Sequence, residues 1–205
     1  DMPEPVIKGG FASPETIAHI ASQKFMMASP LYRQEQEWKQ NGILLSRQTM
    51  SNWLIKASEN WLEPIYEEMK RRLCRHDVLH SDETVLQVLK EPGKKAQSKS
   101  YMWLYRTSGE AKHQLVLFDY QPDRKHIHPE RFLQNFKGYL HADGYSGYHK
   151  LPENIIVVGC WAHLRRKFFD ALKILSKDKQ PDSNAAKGVA YCDKLFHLEK
   201  QFALL

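Results

Sequence analysis

The spacing of apolar residues changes near residue 76, from helical intervals to alternation. In the first part of the chain, apolar side chains recur every three or four positions, which is typical of amphipathic helices. Ser13 and Ser46 stand where helix N-caps are expected. Residues 12–75 are therefore predicted to form a small helical domain, behind an extended lead-in at residues 1–11. The predicted helices are residues 13–27, 31–40 and 46–61, then a basic helix at 65–73.

Short runs of β-branched and aromatic residues dominate the rest of the chain and predict five strands. The first three are joined by turn-rich segments and indicate an antiparallel meander. Alternating helices and strands follow, so residues 76–176 are predicted to be α/β, with a mixed five-stranded sheet and flanking helices. The predicted strands are residues 78–89, 101–106, 113–120, 138–143 and 155–160, with helices at 129–136 and 162–175.

The two ends of the chain suggest a piece of a longer protein. The first residue, Asp1, is not a methionine, and the last four residues are Phe202 to Leu205, an apolar run without a helix stop signal. We interpret residues 177–205 as a polar loop and the start of a truncated helical region, and Pro64 as a residue that ends or kinks its helix.

Composition narrows the function classes. The chain is 42% hydrophobic, enough for a folded core. Its net charge of +6 favours a polyanionic partner, of which nucleic acid is the commonest. Three widely spaced cysteines predict no disulfide framework, and no apolar run approaches the roughly 18 residues of a membrane span. These features predict a cytoplasmic protein with no membrane partner.

The predicted helix at 46–61 carries a polar face that follows a glycine turn at Gly42. A short helix, a turn and a second helix with polar residues at its start is the outline of a helix-turn-helix. Such side chains suit base edges and phosphates, but they also suit the solvated face of an ordinary amphipathic helix. Both interpretations stay open. The candidate DNA-contacting residues are Arg47, Gln48, Ser51, Asn52 and Lys56.

Two aspartates carry the candidate chemistry. The element order resembles that of the ribonuclease-H fold, in which the first and fourth strands are central neighbours. Asp82 in the first and Asp143 at the end of the fourth would then converge, and their oxygens suit Mg²⁺ or Mn²⁺. Glu83 must face the opposite side, because side chains alternate along a strand, and we select Asp82 as the site residue. The alternative is that each aspartate is a cap, a turn residue or a solvated charge.

Other candidates have weaker patterns. Cys160 and His163 are possible zinc ligands, but no second pair accompanies them, and Cys160 is expected to be a buried structural cysteine. His126 and His128 are predicted to be exposed in a loop. The run Arg165-Arg166-Lys167 suits either a DNA phosphate or the wet face of a helix.

Several segments together resemble the signature blocks of the insertion sequence 66 family of bacterial transposases, over about residues 5–169. They are His80-Ser81-Asp82-Glu83-Thr84, His141-Ala142-Asp143-Gly144-Tyr145, Cys160-Trp161-Ala162-His163-Leu164-Arg165-Arg166-Lys167-Phe168, Pro30-Leu31-Tyr32-Arg33-Gln34-Glu35, and Ser46-Arg47-Gln48-Thr49-Met50 with Trp53.

The resemblance implies a DDE-type transposase with a ribonuclease-H-like core and two Mg²⁺ (or Mn²⁺) ions in the complete enzyme. Asp82 and Asp143 would be the first and second catalytic, metal-binding residues. The resemblance assigns no catalytic role to His163 or Arg165, and we interpret these two residues and Arg166 as candidate DNA contacts. The implied partners are transposon-end and target DNA and further copies of the protein, in the bacterial cytoplasm at the nucleoid. The family's third carboxylate lies in a distal Asp-Asn-Asn and Glu-Arg motif, which is missing here.

The leading hypothesis is thus a fragment of a DNA transposase that cleaves and joins strands and is inactive alone. A non-catalytic DNA-binding remnant or regulator with a decayed nuclease-like domain is the alternative. A ribonuclease or junction nuclease on the same fold is a third possibility, which would not need the helical residues 12–73.

Overall fold

The computed structural model describes residues 5–202, which divide into two compact units between Glu68 and Met69. The division falls within a helix. Residues 1–4 of the predicted lead-in lie outside the described residues. The part that follows contains a turn, in which the Gly10 amide donates to the Ile7 carbonyl at 2.8 Å, and Ile7 is buried.

Helices account for most of the first unit. The two predicted N-caps are confirmed, since the Ser13 hydroxyl accepts from the Thr16 amide at 3.3 Å and the Ser46 hydroxyl accepts from the Thr49 amide at 3.1 Å. The helices are α1 (Pro14–Phe25), α2 (Leu31–Gln40) and α3 (Arg47–Ala57), followed by a π-helical turn (Ser58–Leu62) and α4 (Glu63–Leu73).

The helix after Ser46 departs from its predicted bounds. α3 ends at Ala57, and the π-helical turn leads directly into α4. Pro64 lacks the amide hydrogen of an ordinary helical bond, and a wider turn beforehand accommodates that loss. The proline therefore interrupts the α-helical pattern but does not end the helix.

Side chains from α1 and α3 form the core of the first unit. Ile20 on α1 and Met50 on α3 are almost completely buried, and Trp53 lies with them. These residues follow the helical spacing seen in the sequence, which places them on facing sides of the two helices. The other buried members are Ile7, Ala12, Ile17, Leu45 and Ala57.

A mixed five-stranded sheet organises the second unit. Its order is β3-β2-β1-β4-β5, with β1–β2 and β2–β3 antiparallel and β1–β4 and β4–β5 parallel. The α/β prediction is confirmed, and the order is compatible with a ribonuclease-H-like fold. The strands are β1 (Val78–Gln87), β2 (Lys99–Thr107), β3 (Val116–Gln121), β4 (Gly138–Ala142) and β5 (Ile155–Gly159).

The two faces of the sheet differ in burial. Alternation along the strands places one set of apolar side chains, including Trp103 and Tyr105, on a buried face. Tyr105 stacks on Phe132 with ring centroids 3.7 Å apart. The opposite face carries His80 and Asp82. The helices of this unit are α5 (Ile127–Phe132), α6 (Trp161–Ile174) and α7 (Asn184–Phe202).

Gly138 is the first residue of β4, and its backbone conformation predicts that a larger residue there would destabilise the fold. Its φ is +137°, and an added Cβ would collide with the Asp77 carbonyl. We expect Gly138→Ala to lower the free energy of unfolding by about 1–3 kcal/mol, as measured by urea denaturation. Gly109→Ala is the matched control, because a Cβ there meets open space. Equal stability of the two variants would contradict the strain at Gly138.

Candidate functional site

Two adjacent acids on β1 have opposite environments. The Glu83 side chain is 1% exposed and lies on the buried face with Ser81. The Asp82 side chain is 55% exposed and lies on the other face with His80. The strict alternation of a strand forces this difference.

The pairing of β1 with β4 relates the two candidate aspartates. The register sets His80 opposite His141, with ring centroids 4.7 Å apart. β4 ends at Ala142. Two residues past the paired histidines, the chain reaches Asp82 on one strand and Asp143 just after the other. The predicted adjacency of the two strands is confirmed.

The Asp143 carboxylate is held by two neighbours. Its Oδ1 accepts from the Tyr145 amide at 2.8 Å, and its Oδ2 lies 3.3 Å from an Nη of Arg124. Arg124 also donates from Nε to Glu83 at 2.5 Å, and its guanidinium lies 4.0 Å from the centre of the Tyr145 ring. One arginine therefore contacts both a buried and a cavity-lining carboxylate.

The second oxygen of Glu83 accepts a hydrogen bond from a buried hydroxyl, which is in turn bonded to a second hydroxyl. The Tyr148 hydroxyl donates to Glu83 at 2.7 Å, which makes Ser81 the donor in its 3.0 Å contact with the Tyr148 oxygen. Burial raises the pKa of Glu83, and hydrogen bonds from Tyr148 and Arg124 offset part of that rise. Burial, followed by the nearby Glu83 charge, raises the pKa of Tyr148.

Arg124 keeps its charge in this setting. Burial by itself acts to lower the pKa of the guanidinium, but the carboxylates of Glu83 and Asp143 outweigh it, and the net pKa is raised. A permanent positive charge thus lies between two acids.

A cavity of about 840 Å³ opens between the ends of β4 and β5 and the start of α6. Asp143 lies in its wall, and so does His163, whose Nε2 is 3.6 Å from Asp82. His163 therefore lies beside Asp82 and in the wall of the cavity that Asp143 also lines. The lining residues are Arg124, His141, Asp143, Gly144, Tyr145, Val158, Gly159, Cys160, Trp161, His163, Leu164 and Lys167.

Cys160 and His128 differ from their predictions. Cys160 is half-buried and lines the cavity, so its prediction as a buried structural cysteine is wrong. His128 lies in α5, its side chain is 11% exposed, and it contacts Asp123 at 2.6 Å. The prediction of an exposed loop histidine is therefore also wrong.

Asp143 is the acid in the cavity wall, and Asp82 lies outside that wall, beside His163. Their carboxylate oxygens are of the ligand type that Mg²⁺ prefers. Nδ1 of His163 is buried and has no hydrogen-bond partner within residues 5–202. Among the described residues, no three His, Cys, Asp or Glu side chains form a metal-binding group.

The candidate DNA-contacting residues of α3 are placed as follows. Lys56 is exposed, and Ser51 is half-buried. Gln48 is exposed and donates to Asn52 at 3.0 Å. The exposed Arg47 lies 5.6 Å from the Tyr32 ring centre. The polar face expected from the sequence therefore exists, although three of its side chains have partners of their own.

The three candidate DNA-contacting residues on α6 have different environments. His163 faces the cavity, and Arg166 is exposed. Arg165 donates to both oxygens of Asp193 on α7, at 2.5 and 3.3 Å. Arg124 and Tyr148 are not among the site residues predicted from the sequence. Arg124 follows a Pro-Asp turn with no periodicity, and no local signal marks it.

The fold and the carboxylates define an α/β protein compatible with the ribonuclease-H-like class. Residues 9–204 match the model of the family described as "Transposase IS66 family". The chain belongs to that family.

Curated relatives occur in Sinorhizobium fredii (strain NBRC 101917 / NGR234). The uncharacterized protein y4qI is 32% identical over 181 residues, which cover 82% of this chain and 33% of that protein. The uncharacterized protein y4jD is 32% identical over 185 residues, which cover 84% of this chain and 36% of that protein. The chain thus spans about a third of the length of these relatives. No solved structure matches.

Within the described part of the chain, every helix is too short or too polar to cross a bilayer.

The buried hydroxyl of Tyr148 makes a direct test of this site. We expect Tyr148→Phe to lower the free energy of unfolding by about 1–3 kcal/mol, because Glu83 loses a hydrogen-bond donor in a buried position. Urea denaturation measures the change. Tyr139→Phe is the matched control, since Tyr139 is 48% exposed. If the two variants lose stability equally, the buried bond contributes nothing.

Proposed function

We propose that this chain is part of a DNA transposase in which Asp82 and Asp143 hold divalent cations for strand cleavage and strand transfer. The observation that supports this is the parallel pairing of β1 and β4, which places the segments that carry the two aspartates side by side. Asp143 lines the cavity, and Asp82 lies 3.6 Å from His163 in the same cavity wall. The family membership supports the class of reaction.

The two carboxylates would hold Mg²⁺ or Mn²⁺ through their oxygens, together with a third carboxylate outside this chain. When bound, a pair of such ions supplies Lewis acidity for in-line displacement at a phosphate. The protein's own contribution is orientation. The Tyr145 amide fixes one Asp143 oxygen, and the rigid strand β1 carries Asp82.

DNA is the proposed substrate and partner. The net charge of +6 favours a polyanion, and Lys167 lines the cavity next to the exposed Arg166. The exposed face of α3, with Arg47 and Lys56, is the second proposed contact with the phosphate backbone. We further propose that the working complex contains several copies of the protein and acts in the bacterial cytoplasm, at the nucleoid.

The catalytic assignment predicts a loss of cleavage without a loss of DNA binding. In the complete protein, Asp82→Asn or Asp143→Asn should reduce Mg²⁺-dependent DNA cleavage below detection, because one charged metal ligand is removed. Gel assays with labelled DNA measure cleavage and binding separately.

Asp170→Asn is the control for this test. Asp170 is an exposed aspartate on α6 that pairs with Lys173 at 3.7 Å, and its variant should still cut DNA. Cutting at the normal rate by both site variants would refute the assignment. If the wild-type protein binds DNA but does not cleave it, the non-catalytic DNA-binding alternative is favoured.

The α3 assignment predicts a salt-dependent binding defect. Lys56→Glu and Arg47→Glu should each weaken DNA binding, and the slope of log affinity against log salt should fall by about 0.9 per lost phosphate contact. Fluorescence anisotropy at several salt concentrations measures both. Lys39→Glu on α2 is the control, with the same change of charge. If all three variants behave alike, α3 has no specific role.

A further inference from the structure

Glu83 is the acid that the proposed chemistry does not use, yet it is the most enclosed carboxylate near the cavity. Its side chain is 1% exposed. It is bound by Arg124 at one oxygen and by Tyr148 at the other. Burying a charged group is costly unless it is paired, so a position that keeps such a group needs a physical explanation.

Arg124 has two carboxylates within reach, and it favours one of them. Its Nε donates to Glu83 at 2.5 Å and an Nη makes a second, shorter contact with the same oxygen, whereas the nearest Asp143 oxygen is 3.3 Å away. The short, charge-assisted hydrogen bonds from Arg124 to Glu83 are stronger than its longer contact with Asp143. The buried position of Glu83 strengthens them further.

Arg124 is also fixed independently of both acids. Its guanidinium lies over the Tyr145 ring, and the Tyr145 hydroxyl donates to the Arg124 carbonyl. Gly147 leaves the space that this ring occupies, since a Cβ there would collide with it. If Glu83 lost its charge, Arg124 would therefore remain beside Asp143.

We propose that Glu83 is a positioning residue that engages the charge of Arg124 and so leaves the negative charge of Asp143 available to a divalent cation. The inference rests on the proposed role of Asp143 as a metal ligand. Arg124 keeps only its longer contact with Asp143, and Glu83 prevents that contact from becoming a full ion pair.

Mn²⁺ binding to the complete protein tests the inference without any measurement of activity. Glu83→Gln keeps the shape of the side chain and one acceptor oxygen for Arg124, but it removes the charge and replaces the other oxygen with an NH2 donor. The Mn²⁺ dissociation constant should rise about tenfold, because Arg124 then neutralises Asp143. Electron paramagnetic resonance of free Mn²⁺ gives the bound fraction.

The double variant Glu83→Gln with Arg124→Gln should restore the wild-type Mn²⁺ affinity, since the competing cation is also removed. A double variant that binds as weakly as Glu83→Gln would overturn the inference. If Glu83→Gln does not fold, Arg124→Gln by itself should bind Mn²⁺ at least as tightly as the wild type, and weaker binding would overturn the inference.

Asp193→Asn is the matched control, because it removes another arginine-bound carboxylate with the same change of net charge. It should leave Mn²⁺ affinity unchanged, and an effect equal to that of Glu83→Gln would reduce the inference to net charge alone. Asp143→Asn distinguishes a failure of the proposed function from a failure of the role proposed for Glu83. If it has no effect on Mn²⁺ binding, the proposed function fails, whereas an effect there with none at Glu83→Gln rejects only the role of Glu83.

Discussion

The parallel pairing of β1 with β4 is the constraint on which the candidate site depends. In a parallel ladder, residues in register point to the same face, so the pairing of His80 with His141 determines what lies near the ends of both strands. Asp82 and Asp143 are far apart in sequence, and only this ladder places the segments that carry them side by side. A shift of one residue would exchange the faces of Asp82 and Glu83 and bring the wrong acid to His163.

The same alternation that exposes Asp82 buries Glu83, and the structure compensates for that burial locally. Arg124 and Tyr148 supply the hydrogen bonds that a carboxylate loses when it leaves water. Arg124 comes from the segment after β3, at the far side of the sheet order from β4. The ion pair consequently links the antiparallel half of the sheet to the loop that carries Asp143, and packing and site electrostatics share one set of contacts.

Family membership and structure agree on what this chain can contribute. It supplies a five-stranded sheet with one acid within β1 and one just after the end of β4, and a helical unit with a basic, polar face on α3. It spans about a third of the length of its curated relatives. The third carboxylate expected of a DDE-type enzyme has no counterpart in the motifs of this sequence. The complete reaction is therefore a property proposed for the whole protein.

The sequence by itself determined the five strands, the N-caps at Ser13 and Ser46, and the opposite facing of Asp82 and Glu83. These features depend on interactions between residues close along the chain, which periodicity and capping chemistry report directly. Only the tertiary structure decided that Arg124 joins Glu83 to Asp143. Other such outcomes are the burial of His128 against Asp123, the pairing of Arg165 with Asp193, and the passage of the helix through Pro64. The ion pairs among these outcomes join residues that no local sequence pattern relates, so they form only once the elements have packed.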